Sequence, residues 1–174
     1  MTQNQLTRAK LESYSYTNIF DEMNKRSNIK DPRDPANTKS RMFIYDFDPF
    51  HKQINFGDFP YIILELPTIE YLKRSVDGKK KGILFKHRIT VRTAREGASQ
   101  VGSIDQGRTD MFNITDDMQE MFNAMTVRQT LINLGMSNMN LTKISTDTLT
   151  IDQKYVYESV FELSYDSFFF RVSA

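Results

Sequence analysis

Hydrophobic and polar residues follow two different periods along this chain, and the switches between them outline its elements. In residues 5–25, Leu6, Ala9, Tyr16, Ile19, Phe20 and Met23 recur at steps of three and four, the spacing of one helix face. Arg8, Glu12, Asp21 and Lys25 fall mostly elsewhere on that helix. Ser27 and Asn28 stop it, and Pro32 and Pro35 make the polar stretch 30–41 an exposed connector. Residues 42–48 predict a strand with Phe43, Tyr45 and Phe47 on one side and Met42 and Ile44 on the other, covered on both faces. Asp48, Pro49, Asn55, Gly57, Asp58 and Pro60 then punctuate a loop.

Residues 61–66 predict a buried strand, prolonged by 68–75 past a bend or bulge at Pro67. Asp77-Gly78 is a hairpin signal, with Lys79, Lys80 and Lys81 at its tip. The return strand alternates, Ile83, Phe85, His87, Ile89 and Val91 against Lys86, Arg88, Thr90 and Arg92, which predicts one core face and one basic face. Residues 94–114 hold three glycines and predict a long loop. A second helix is expected from Thr115 or Asp116, with Asp116 and Gln119 approximating a capping box. Its stripe is Met118, Met121, Phe122, Met125 and Ile132, and Gly135 closes it. Residues 138–151 and 155–165 predict two further strands around a turn at 152–154. In the second of these, Tyr155, Tyr157, Phe161, Leu163 and Tyr165 share a face.

Two helices cannot cover both faces of such a sheet. The expected fold is one α+β domain over residues 1–174, a mostly antiparallel sheet of four to five strands with two helices on one face, a long β-hairpin, and extended loops at about 26–41 and 94–114.

Composition removes chemistry more than it adds any. The 174 residues include no cysteine, which excludes disulfides, a thiol nucleophile and cysteine-held metal sites. A net charge of +1 points to no bulk attraction for nucleic acid or anionic membrane. No apolar run approaches the roughly 20 residues of a membrane span, and the first residues lack the pattern of a signal peptide. His87 and His51 are the two histidines, and no spacing brings them together as a metal or catalytic pair. Asp46, Asp48 and Asp58 flank a loop, where turn formation is the ordinary role of Asp and Pro and a hard-cation site would need further oxygen ligands. Neither a phosphate-binding glycine loop nor a nucleophile elbow is present. The sequence therefore predicts no catalytic, cofactor or metal residues, and a protein that is not an enzyme.

The candidate functional residues are those of an interface. Lys79, Lys80, Lys81, Arg88, Arg92 and Arg95 lie on the hairpin's basic side. They admit three readings: a solvated or edge-protecting face, a protein interface, or a phosphate contact. Phe168, Phe169 and Phe170 are consecutive aromatics that point to both faces of a strand, which calls for a second layer or a second subunit.

The order of elements, with Asp58-Phe59-Pro60 leading into Tyr61-Ile62-Ile63-Leu64-Glu65-Leu66, a long hairpin through Arg92, a helix ending at Leu134-Gly135 and a closing strand over 155–165, resembles the tail terminator (tail-completion) proteins of tailed bacteriophages. The resemblance covers roughly residues 5–167. It implies a virion protein of the tail and neck region, assembled in the host cytoplasm. Such a protein forms a homohexameric ring that caps the tail tube, stops its polymerisation and joins the tail to the head. The implied partners are further copies of itself, the tail tube protein and a head-side connector protein, with DNA passing through the lumen without specific binding. A head–tail connector or adaptor is the nearest alternative, and a small nucleic-acid-binding module is the next.

Overall fold

A computed structural model of the chain describes residues 8–25, 28–32, 43–45, 59–74, 80–94, 105–151 and 154–170. Helix α1 (Arg8–Met23) is followed by strands β1 (Phe43–Tyr45), β2 (Tyr61–Leu64), β3 (Thr68–Arg74) and β4 (Lys80–Ala94). Helices α2 (Gln106–Asn123) and α3 (Met125–Asn133) precede the final strands β5 (Ser137–Ile151) and β6 (Lys154–Phe170). The sheet order is β1-β2-β4-β6-β5, with β3 also on β4. Only the β1–β2 pair is parallel. The fold class is the α+β expected, with the helices packed on one face of the sheet.

β2 and β3 are two halves of one bent strand. Ile62 pairs with Val91 and Leu64 with Ile89, and pairing resumes at Thr68 opposite Lys86. Pro67 carries no N–H for the ladder, so the interruption falls where the sequence placed it. β4 and β6 are the long central strands, matched from Lys80–Phe170 to Ala94–Val156. From Ile83 to Thr93 on β4 and from Tyr157 to Ser167 on β6, odd-numbered residues face the helices. Ile83, Phe85, Ile89, Val91, Phe161, Leu163 and Tyr165 join Ile62, Leu64 and the apolar faces of the three helices in the main core. Phe59, Tyr61, Ile63, Ala94 and Val156 make a smaller cluster on the opposite face. There the Phe59 ring lies 4.8 Å from that of Tyr61.

The second helix departs from expectation at its start and in its middle. It begins at Gln106, so much of the stretch predicted as loop is helical. Its cap is Asp105, not Asp116: one carboxylate oxygen accepts from the Arg108 N–H at 3.1 Å. The other oxygen accepts from the Tyr157 hydroxyl on β6, and Thr93 of β4 donates to the Gly107 carbonyl at 2.6 Å. At Ala124 the backbone is extended (φ −61°, ψ 129°), which splits the helix and resets its phase. The predicted stripe is right through Phe122 and wrong beyond it. Val127 and Leu131 are buried, while Met125 and Ile132 are 84% and 51% exposed. Arg128 caps the break, donating to the Phe122 carbonyl at 2.9 Å. Gly135 closes α3 as predicted: its φ of +87° lets the Met136 N–H reach back to the Leu131 carbonyl.

Candidate functional site

Position on β4 decides what each basic residue can do. Arg88 and Lys86 stand on the face away from the helices, as alternation requires, but that face is not simply basic. Lys86 Nζ lies 2.7 Å from Glu70 of β3, and Arg88 Nε lies 3.8 Å from Glu65 at the bend. Arg92 Nε lies 2.7 Å from Glu158 of β6. The carboxylates come from the two flanking strands, so an inspection of β4 alone overestimates its positive field. The Glu70 carboxylate also raises the pKa of Lys86, chiefly through their hydrogen bond.

Arg92 needs the larger correction. It is buried rather than exposed, held by Glu158 and within 3.4 Å of the Tyr61 hydroxyl. Its position beside the smaller apolar cluster makes it part of the structure of that face, not a free interface residue. Arg88 remains exposed. Lys79 and Arg95 lie outside the described residues. Lys80, Lys81, Phe168, Phe169 and Phe170 are described only as backbone, where the register brings them together: Lys80 opposite Phe170, Lys81 opposite Phe169, Gly82 opposite Phe168. The lysine tip and the phenylalanine run thus belong to one end of the sheet, a juxtaposition the sequence did not reveal. His51, Asp46, Asp48 and Asp58 also lie outside the described residues.

The other long edge is β5. Its 15 residues bond to β6 on one side, and among the described residues no strand pairs with the other. Register shifts after Ser137 and after Lys143 interrupt its regularity. Ile144, in the second irregularity, is exposed; Met125 and Ile132 of α3, a helix that touches β5, are exposed as well. An unpaired strand edge offers N–H and C=O groups that a further strand could bond, which makes β5 a candidate for assembly contacts.

A groove of about 440 Å³ runs along the polar side of α2. Asp110, Asp116, Asp117 and Glu120 line it together with Lys30 and the buried Asp31. Asp117 accepts from the Lys30 backbone N–H at 3.1 Å, which ties the segment after α1 to α2. Among the described residues no group of three or more His, Asp or Glu side chains is placed to hold a metal ion.

One cluster has the outline of a nucleophile and base. The Ser15 hydroxyl of α1 is 2.6 Å from His87 Nε2, and His87 Nδ1 donates to the Glu65 carbonyl at 3.0 Å. The Tyr165 hydroxyl of β6 completes the chain on Ser15. These residues are 1%, 0% and 2% exposed, so no substrate reaches them in this structure. Burial pushes the His87 pKa down to about 4, with the backbone bond pulling the other way. Burial likewise raises that of Tyr165. Both groups are held neutral. The alternation placed His87 on the core face correctly; its partner on a helix 72 residues away had no signal in the sequence. No helix among the described residues is long and apolar enough to cross a membrane. Comparison with protein-family models and with curated proteins finds no match to this chain.

Proposed function

We propose that the protein is a structural virion subunit of the tail-terminator type, which closes into a ring, caps the tail tube and joins it to the head-side connector. The observation that carries this reading is the edge of β5 that no described strand pairs, with Ile144 exposed on it. A subunit that assembles head-to-tail must present a surface its own fold leaves unpaired, and the rotation between copies decides whether the ring closes. The irregularities of β5 support closure over fibre growth, because a bulged edge disfavours indiscriminate strand stacking. The cross-strand pairing of Lys86, Arg88 and Arg92 with carboxylates fits a wall past which DNA slides, since neutralised cations hold phosphate weakly.

Light scattering on the purified chain gives the first test, with a particle of about six times the 20.4 kDa subunit mass expected. Negative-stain images are expected to show rings, and adding the protein to polymerising tail tube protein is expected to shorten the tubes. Ile144→Lys is expected to shift the mass toward monomer with the circular dichroism unchanged. A strict monomer at high concentration, with no affinity for tail tubes, overturns the reading.

A further inference from the structure

We propose that Ser15, His87 and Tyr165 form an acid-released clasp that holds α1 on the sheet. The inference is independent of any ring. Its basis is the direction of the hydrogen bonds. His87 Nδ1 donates to the Glu65 carbonyl, so the neutral ring must accept at Nε2, and the Ser15 hydroxyl supplies that proton. Ser15 Oγ then accepts from Tyr165. Every donor in this order has an acceptor, and no buried side-chain nitrogen or oxygen among the described residues lacks a partner.

A second proton on the imidazole reverses the chain. Nε2 becomes a donor to Ser15 Oγ, and since only one hydrogen can lie between the Ser15 and Tyr165 oxygens, the other hydroxyl hydrogen is left without an acceptor in the cluster. The result is a buried cation and a buried unsatisfied O–H together. Among the described residues nothing on the surrounding elements compensates. α1 presents Ser15, β6 presents Tyr165 with its ring centre 6.2 Å away, and the β2–β3 bend presents only a carbonyl. The carboxylate of Glu65 sits with Arg88, that of Glu70 with Lys86, and that of Glu22 on α1 with Lys25. α2 packs its apolar side inward and carries Asp110, Asp116, Asp117 and Glu120 in the groove. On β6, Glu162 and Asp166 alternate to the face away from the ring. β5 leaves Lys143 and Asp147 exposed.

The helix is the part that can leave. β4 and β6 hold His87 and Tyr165 in strands bonded along their whole shared length, whereas α1 is joined to this chain of bonds by one hydroxyl. The sign follows from the depressed pKa: an undocked imidazole takes a proton near pH 6.5, and the docked one resists until about pH 4. Docking is therefore complete above the ordinary histidine pKa and weakens as pH falls through that window. Each pH unit within it favours the undocked helix by about tenfold.

Hydrogen exchange read by mass spectrometry from pH 7 to 4.5, corrected for intrinsic rates, tests this on the full chain. The amides of α1 are expected to lose protection by about tenfold per pH unit below 6.5, while those of β4 and β6 keep theirs. In His51→Gln, His87 is the remaining imidazole, and its NMR signal is expected to titrate together with α1 exposure. In His87→Gln the acid sensitivity of α1 is expected to vanish. Protection of α1 that persists to pH 4.5, or that falls in one step with the strands, overturns the proposal. The wild-type profile alone decides the matter if His87→Gln does not fold.

Discussion

Replacing Arg92 by methionine would leave the Glu158 carboxylate, 12% exposed, beside the apolar cluster of Tyr61, Ile63 and Val156 with no cation 2.7 Å away. Removing one member of a buried pair costs about 3–5 kcal/mol, because the survivor keeps its desolvation penalty without its partner. With both side chains about a tenth exposed, water offsets part of that penalty, and a loss of about 3 kcal/mol is expected. Urea unfolding followed by circular dichroism reads it directly. At a slope of about 2 kcal/mol per molar urea, the midpoint falls by about 1.5 M. Arg92→Met with Glu158→Leu removes both charges and retains apolar volume, so the double variant is expected within about 1 kcal/mol of the parent. The cycle then gives a coupling of roughly 2 kcal/mol or more. A single-variant loss below about 1 kcal/mol, or a double variant as unstable as the two singles added, would refute the claim that this pair is interdependent and buried.

The phase reset at Ala124 has a clean signature. Leu131→Ala, at a fully buried position, is expected to cost about 3 kcal/mol, and Ile132→Ala, half exposed next to it, below about 1 kcal/mol; equal losses in thermal or urea melts would reinstate the uninterrupted stripe. Asp105→Ala removes both the cap of α2 and the acceptor of the Tyr157 hydroxyl, and about 2 kcal/mol of stability is expected to go with it. Asp105→Asn keeps the cap and is expected to recover part of that loss, which the same melts would show.

What the sequence made legible was whatever depends on neighbours along the chain. The alternation in β4, the bend at Pro67 and the glycine stop at Gly135 are local geometry, and each stands where residue type demanded it. The first half of α2 was hidden because Gly107, Thr109 and Asn113 are weak helix formers; its true cap works through Tyr157, which is 52 residues away. The break at Ala124 is held by Arg128 folding back on α2, so nothing in residue type at position 124 announced it. The basic face was misjudged for the same reason, since Glu65, Glu70 and Glu158 lie across strand boundaries from the cations they neutralise. Interface candidates on an open edge are legible only when the sheet order is known, and that order is a long-range property.

The bend between β2 and β3 has a consequence for the helix side of the sheet. The Glu65 N–H still bonds to the Arg88 carbonyl, but its own carbonyl, released from regular pairing at the turn, accepts from His87 Nδ1. A proline that interrupts a strand on one side of β4 thereby chooses the tautomer of a histidine, and through it the orientation of a serine on a helix. An edge defect and a buried contact are two ends of one lever. Whatever straightens or grips that edge, where Leu66 and Tyr71 are exposed, acts on the footing of α1 without touching it.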